Sequence, residues 1–319
     1  MRVLMFFIDG VALGQRKAEN PFFTEPTPCL RKLLQGRPLV LASAGYRGDR
    51  ASLVALDAVL GVAGLPQSAT GQASIFTGQN APRLLGTHLN GFPNQELRSL
   101  LAESGIFIRL RRRGYRCAFA NAYRPDFFDL LRQGLPGNNY SCSTLITYYG
   151  GLTFRSLDDL REKQALFMDI DHTLLSQMEY GLPQITPETA GSRLAALSKE
   201  YDFTLFEYFL SDLAGHRGDI EEAARVVQTL DRFIGALTSS LDPAETLLIV
   251  TSDHGNLEDL AHREHTTTPV PALLIGSAAW RDRLMPRLHD LTDILPAILE
   301  TLQGNDSEGD SAERSLGTL

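Results

Sequence analysis

Apolar positions along the chain fall into two alternating patterns. Val3–Ile8, Leu53–Leu60, Tyr115–Ala120, Phe203–Leu210, Leu247–Val250 and Leu273–Ile275 are short runs dominated by apolar residues. Near-continuous runs of this kind suit strands buried on both faces of a parallel sheet. Between them the spacing turns helical, at Gln95 to Ala102, Ile106 to Arg113, Pro187 to Lys199, Ile220 to Ser239 and Asp290 to Leu302. Thr186 followed by Pro187 is a strong helix start, because threonine caps and proline fits the first turn. Thr27-Pro28 starts a shorter helix by the same logic. Strands alternating with helices predict an α/β fold with a doubly wound, mostly parallel sheet.

One segment breaks the rhythm. Residues 124–186 carry Pro125, Pro136-Gly137-Asn138-Asn139, Gly150-Gly151 and Pro183, together with much of the tyrosine and phenylalanine. The segment reads as a small cap inserted into a discontinuous core, residues 1–123 and 187–304. A mobile cap over a site excludes water and selects substrates. Asp169, Asp171 and His172 read as a surface loop, since nothing else in the cap completes a metal coordination set. The acidic, serine- and glycine-bearing tail, residues 305–319, is expected to be disordered.

Composition narrows the function classes. With 319 residues there is room for one large domain and an insertion, and 43% hydrophobic with 21% charged residues is ordinary for a soluble globule. A formal charge of −8 disfavours a nucleic-acid surface and suits cations. The basic run Arg109, Arg111, Arg112, Arg113 and Arg116 reads as a solvated helix end near Gly114, with phosphate binding as the sharper alternative. Cys29, Cys117 and Cys142 are odd in number and widely spaced, as expected of reduced thiols in a cytoplasmic protein. The apolar start at Val3–Ile8 is too short for a leader, and no run reaches the roughly 18 residues of a membrane helix.

The candidate chemistry sits where strands stop. Asp9 follows the first run, Asp212 the fourth and Asp253-His254 the fifth, with His216 and His265 close behind. In an open parallel sheet, ligand sites lie beyond the carboxyl ends of the strands, so Asp9 and Asp253 are placed on one rim. Carboxylates and imidazoles without sulfur form a donor set for divalent cations. The plainer alternative is that Asp253 and His254 only cap the next helix. From Gly64 to Gly78 a small-residue turn runs into a helix, and this presents a hydroxyl and free N–H groups to an anion. Ser68 is the candidate nucleophile and Thr70 the second choice; the alternative is a serine cap without chemistry. Two cations about 4 Å apart clamp a transferring phosphoryl group and acidify a serine hydroxyl.

The ordered set Phe7-Ile8-Asp9-Gly10, Ser68-Ala69-Thr70-Gly71, Asp212-Leu213-Ala214-Gly215-His216, Asp253-His254-Gly255-Asn256 and His265-Thr266 with Pro269-Val270-Pro271 resembles the alkaline phosphatase superfamily. The resemblance is to the branch holding cofactor-independent phosphoglycerate mutase and phosphopentomutase. It implies that Asp212, His216 and His265 hold one metal, and that Asp9, Ser68, Asp253 and His254 hold the other. It also implies Ser68 as the residue that is phosphorylated. Mn2+, Zn2+ and Mg2+ all suit such a set. Asn90 and Arg263 are candidate substrate contacts, and His88 and His262 are bystanders. The insertion is shorter than those of the mutases, which favours hydrolysis of a small phosphate monoester over return of the phosphate. A phosphomutase is the second reading, and a metal-stabilised binding protein without catalysis is the third. No nucleic-acid or membrane partner is expected.

Overall fold

A computed structural model describes residues 1–178 and 180–315, with side chains as far as Gly304. Among the described residues six strands form one sheet: β1 Arg2–Ile8, β2 Ala51–Leu56, β3 Cys117–Phe119, β4 Phe203–Tyr208, β5 Thr246–Thr251 and β6 Val270–Ile275. Their order is β2-β6-β5-β1-β4-β3. β1 lies parallel between β4 and β5, β3 is parallel to β4, and β6 pairs antiparallel with both β5 and β2. Of the six, only β6 runs against the rest, so the sheet is mostly parallel as the apolar runs predict.

β1 explains why a continuous apolar run was required. Val3, Met5 and Phe7 enter one core cluster, while Leu4, Phe6 and Ile8 enter the other. Side chains alternate across a strand, so a strand covered on both faces has no solvent position left for a polar residue. The first core packs against the Ser68–Thr77 and Gln95–Ser104 helices, and the second against the long Ile220–Ser240 helix. Phe6, Phe206 and Phe233 meet there with centroids 5.0–5.6 Å apart. Burying each such ring stabilises by about 2–3 kcal/mol, which anchors β1 and β4 to that helix.

The C-terminal edges of β5, β1 and β4 therefore lie side by side, although they are far apart in sequence. Asp9 and Asp253 do sit just past β1 and β5. Asp212 does not end a strand. β4 stops at Tyr208, and Asp212 and His216 stand one turn apart on the Leu210–Arg217 helix. The third strand is also shorter than its apolar run. Beyond Phe119 the Asn121 side chain replaces the ladder, donating to the Glu207 carbonyl at 2.8 Å and accepting from the Glu207 N–H at 2.9 Å.

Packing across residue 124 ties the inserted segment to the core. Ala122, Leu157, Leu160, Ala165, Phe167, Leu175 and Leu182 form a small cluster of their own. The Cys142–Tyr149 helix, by contrast, buries Cys142, Leu145 and Ile146 in the main core, and Cys142 Sγ donates to the Ala69 carbonyl at 3.4 Å. Asp169 and His172 are not on a surface loop: both are buried, and the Asp169 carboxylate closes a turn by accepting from the His172 and Leu174 N–H groups. Burial there serves a turn that solvent would not hold. Within the arginine run, Arg109 contacts the Thr77 carbonyl, Arg111 the Gly150 and Gly151 carbonyls, and Arg116 the Asp202 carboxylate. The three cysteines are free thiols. The helix Ile294–Ser315 enters the stretch expected to be disordered, of which residues 316–319 lie outside the described residues.

The Ser68 helix crosses the tip of β5 closely enough that Gly71 has no room for a side chain. A Cβ there would lie 2.9 Å from both Asp253 Cβ and the Asp253 carbonyl oxygen. Gly71→Ala should lower the stability read from urea unfolding by about 1–3 kcal/mol and weaken Mn2+ binding. A variant with the wild-type midpoint would mean that the helix has slack at this crossing.

Candidate active site

Two histidines owe their orientation to backbone carbonyls. His265 Nδ1 faces the Pro66 carbonyl at 2.9 Å, and His216 Nδ1 faces the Arg263 carbonyl at 2.7 Å. Each Nδ1 therefore carries the proton in the neutral ring, which leaves each Nε2 as a lone-pair donor. The two Nε2 atoms point at each other, 3.1 Å apart. Asp212 joins them, with Oδ2 3.3 Å from His216 Nε2 and Oδ1 3.6 Å from His265 Nε2. Two facing lone pairs and a carboxylate repel unless a cation or a proton lies between them.

The second group shares Asp212. One donor atom each from Asp9, Asp212 and His254 lie within 4.8 Å of one another, as do those of Asp212, His216 and His265. His254 Nε2 stands 3.2 Å from Asp9 Oδ1, 3.6 Å from Asp253 Oδ2 and 2.9 Å from Ser68 Oγ. The His254 and His265 rings stack at 3.7 Å, so the two groups are contiguous. Asp253 and Ser68 border the second group through His254, while Asp212 belongs to both.

Burial sharpens the electrostatic problem. Asp253 and His254 are fully buried, and Asp9 and His265 are nearly so. Burial raises the Asp9 and Asp253 carboxyls above the ordinary range, with each other's charge adding for Asp253. For His254 burial opposes the charged ring, but Asp253 and Asp9 outweigh it and push it up to about 10. His265 is pulled down to about 4 by burial and then by the charge on His254. Asn256 Oδ1 is buried without a hydrogen-bond partner, and Asp9 Oδ1 has the His254 ring 3.2 Å away but no well-aligned hydrogen bond. An all-N/O donor set, crowded carboxylates and inward lone pairs fit one or two divalent cations.

Ser68 occupies the first turn of its helix. Its cap is Gln67, so the hydroxyl does not cap the helix and is committed to His254 instead. Thr70 Oγ1 is engaged by the Gln67 carbonyl at 3.2 Å and the Leu89 N–H at 3.2 Å. Of the two hydroxyls only Ser68 faces the cluster. Asn90 is exposed at its edge of the fold, and the exposed Arg263 contributes its carbonyl to His216. His88 contacts the Val62 carbonyl and His262 contacts Asp259, both apart from the cluster.

Four participants escaped the sequence reading. Gln72, one helical turn after Ser68, donates to Asp9 Oδ2 and Asp253 Oδ2 at 3.3 Å each; the four-residue spacing was the available signal. Asn256 Nδ2 donates to Asp212 Oδ1 at 2.8 Å. The buried Glu258 accepts from the Asn256 N–H at 2.8 Å and from the Thr266 hydroxyl, which fastens the two histidine loops together. Glu207, an acid inside the otherwise apolar FTLFEY strand, is buried and accepts from Ser143 Oγ at 2.5 Å.

Comparison with known proteins finds sequence relatives over part of the chain. The Metalloenzyme superfamily model matches residues 185–306, the stretch that carries Asp212, His216, Asp253, His254 and His265. A 2,3-bisphosphoglycerate-independent phosphoglycerate mutase of Cereibacter sphaeroides is 34% identical over 137 residues, 41% of this chain and 26% of that protein. The Yersinia pestis protein of the same name is 29% identical over 147 residues, 42% of this chain and 28% of its own. The matches thus span about a quarter of the length of these relatives. A solved Pyrococcus horikoshii protein has the same fold, with a TM-score of 0.54 and 15% identity, covering 95% of this chain and 96% of that one.

Because Asp212 belongs to both donor groups, Asp212→Asn should impair Mn2+ binding at both positions, whereas His216→Ala should impair one. Calorimetric titration measures this directly, and equal losses in the two variants would contradict the shared role. A second expectation concerns pH. Burial pushes the Glu207 carboxyl up to about 7. Between the ordinary glutamate range and that value the folded chain holds a proton that the unfolded chain has released, so stability falls as pH rises through this window. Glu207→Gln removes the penalty and should gain on the order of 2–3 kcal/mol relative to wild type at pH 8 compared with pH 4. A wild-type-to-variant difference in urea midpoint that ignores pH would refute it.

Proposed function

We propose that the chain is a metal-dependent enzyme of the alkaline phosphatase superfamily and that it hydrolyses small phosphate monoesters through a phosphoserine at Ser68. The observation that carries the reading is the Ser68 hydroxyl at the start of a helix, aimed at a cluster of three carboxylates and three imidazoles. Asp212, His216 and His265 would hold one divalent cation, and Asp9 and His254, with Asp253 and Ser68 bordering, the other. When bound, Mn2+, Zn2+ or Mg2+ supplies charge that neutralises the phosphoryl oxygens and acidifies a hydroxyl.

The chain's own residues do the rest. Helix N–H groups after Ser68 face the phosphate, and the positive helix end favours its charge. Ser68 Oγ attacks phosphorus in line, the ester P–O bond breaks, and the proton lost by the serine is balanced by the one the departing alcohol takes up. Water then cleaves the phosphoserine and returns the hydroxyl. Gln72 keeps Asp9 and Asp253 in register, and Asn256 and Glu258 hold Asp212 and the histidine loops. Residues 124–186 act as a cap that selects the substrate. Free thiols at Cys29, Cys117 and Cys142 suit a cytoplasmic setting, and no described helix is long and apolar enough to cross a membrane. The named relatives favour a second reading, a phosphomutase that returns the phosphoryl group from Ser68 to the substrate.

A phosphorus-31 NMR time course on Mn2+-loaded protein with pooled phosphosugars, phosphoglycerates and nucleotides separates the two. Growth of inorganic phosphate is expected, and Ser68→Ala should slow it by on the order of 10³ or more while keeping Mn2+ bound. A new ester resonance without free phosphate would make the enzyme a mutase. Undiminished turnover in Ser68→Ala would remove Ser68 as the nucleophile.

A further inference from the structure

Beside the cluster, at the carboxyl end of β3 and β4, lies a cavity of about 360 Å³ between the core and residues 124–186. Phe119 and Tyr123 form its core side, and Phe167, Met168, Leu174 and Met178 close it from the inserted segment. β4 joins cavity to cluster: Glu207 lies on the cavity wall, the Asp9 N–H donates to the Tyr208 carbonyl at 2.9 Å, and Phe209 lines the cavity three residues before Asp212. The Cys142–Tyr149 helix joins them from the other side. Its Ser143 holds Glu207, and its Cys142 touches the carbonyl of the residue after Ser68.

Glu207 is the chemically unfinished group in this cavity. The residue is only 7% exposed, and its Oε2 accepts from Ser143. Among the described residues no donor reaches Oε1. The other charged side chain on the wall, Arg124, is exposed at the mouth and pairs with Asp126 at 3.4 Å. A cation placed against Glu207 favours the charged carboxylate that burial disfavours, and the surrounding aromatic and thioether side chains suit an apolar body. Glu207 also adds to the negative field of Asp9, so an anionic group placed here is repelled.

Resting on the phosphomonoesterase reading, we propose that this cavity binds the non-phosphate part of the substrate, and that the substrate is a phosphate monoester of an alcohol with an apolar or aromatic body ending in an ammonium group that pairs with Glu207. A substrate with a carboxylate at that end, such as a phosphoglycerate, is disfavoured by the same charge.

Two esters with similar leaving alcohols test this, 4-(aminomethyl)benzyl phosphate and 4-carboxybenzyl phosphate, with Mn2+-loaded enzyme. The aminated ester should have kcat/KM at least about tenfold higher, and Glu207→Gln should erase the preference. Met168→Trp, which fills the cavity from the inserted segment, should raise KM for both. In parallel, ligand-observed NMR with benzylamine and benzoate reads the cavity without any turnover. Benzylamine should bind, benzoate should not, and both variants should weaken benzylamine. Equal kcat/KM for the two esters, or a preference unchanged in Glu207→Gln, overturns the proposal, as does absence of benzylamine binding. If neither ester is hydrolysed while benzylamine binds in a Glu207-dependent manner, the cavity assignment stands and the phosphomonoesterase reading falls.

Discussion

Asp9, Asp212 and Asp253 meet within one interior cluster, and the rest of the rim is arranged around that repulsion. Two unit charges about 4 Å apart interact by roughly 4 kcal/mol at the effective dielectric of a protein's outer layers. Asp9 and Asp212 lie within such range of each other, and with the fully buried Asp253 beside Asp9 and His254 they call for cations. Protons on His254 relieve part of the strain, as its upward shift to about 10 records. That relief comes at the expense of the lone pairs that face the cluster. Divalent ions answer both needs at once, since they satisfy the carboxylates and use the imidazole lone pairs. The donor geometry and the electrostatics thus point the same way.

Holding such a cluster together requires a frame that does not depend on the cations. Much of it is made of bonds to the main chain. Ser252 Oγ accepts from the Val11 N–H at 2.9 Å, Ser211 Oγ donates to the Asp9 carbonyl at 2.5 Å, and Pro66 and Arg263 offer carbonyls to His265 and His216. Glycines supply the remaining space. Gly10 adopts φ +71°, and a Cβ there would fall 2.7 Å from Asp212 Cβ. A side chain at Gly10 would therefore carry backbone strain and also push Asp212 away from its partners.

These framing contacts mark the limit of what the sequence discloses. The strands were legible because a two-face-buried strand has to be apolar throughout, and the candidate ligands were legible because they interrupt that pattern at its ends. Asp212 was read as a strand end because apolar residues continue past Tyr208, yet the backbone at Phe209, φ −125° and ψ 2°, has already left the strand. Carbonyl acceptors have no sequence signature at all, so the roles of Pro66 and Arg263 could not be seen. Arg263, a candidate substrate contact by its side chain, also meets His216 through its carbonyl. Asp169 and His172 misled in the opposite sense: polar residues in a proline- and glycine-rich stretch suggest solvent, but here they close a buried turn. Glu207 was hidden by its neighbours, since one acid in an apolar strand does not disturb the periodicity.

The sheet order decides which parts of the chain govern chemistry and which govern selection. With β5, β1 and β4 adjacent, every candidate ligand falls at the centre of the rim, and most of them lie within residues 185–306. β3 is the next strand outward, and residues 124–186 follow it directly, so their side chains wall the cavity at the carboxyl end of β3 and β4. On the proposed reading, a phosphate at Ser68 would leave the remainder of its ester to the cavity walled by Phe167, Met168 and Leu174. Those residues lie outside the stretch that matches the Metalloenzyme superfamily. The similarity therefore bears on the carboxylate and histidine end of the site, whereas the cavity is walled mostly by side chains from outside the matched stretch. Two proteins sharing the rim can in this way diverge in substrate without altering a single candidate ligand, by exchanging one acid on β4 and the apolar residues facing it.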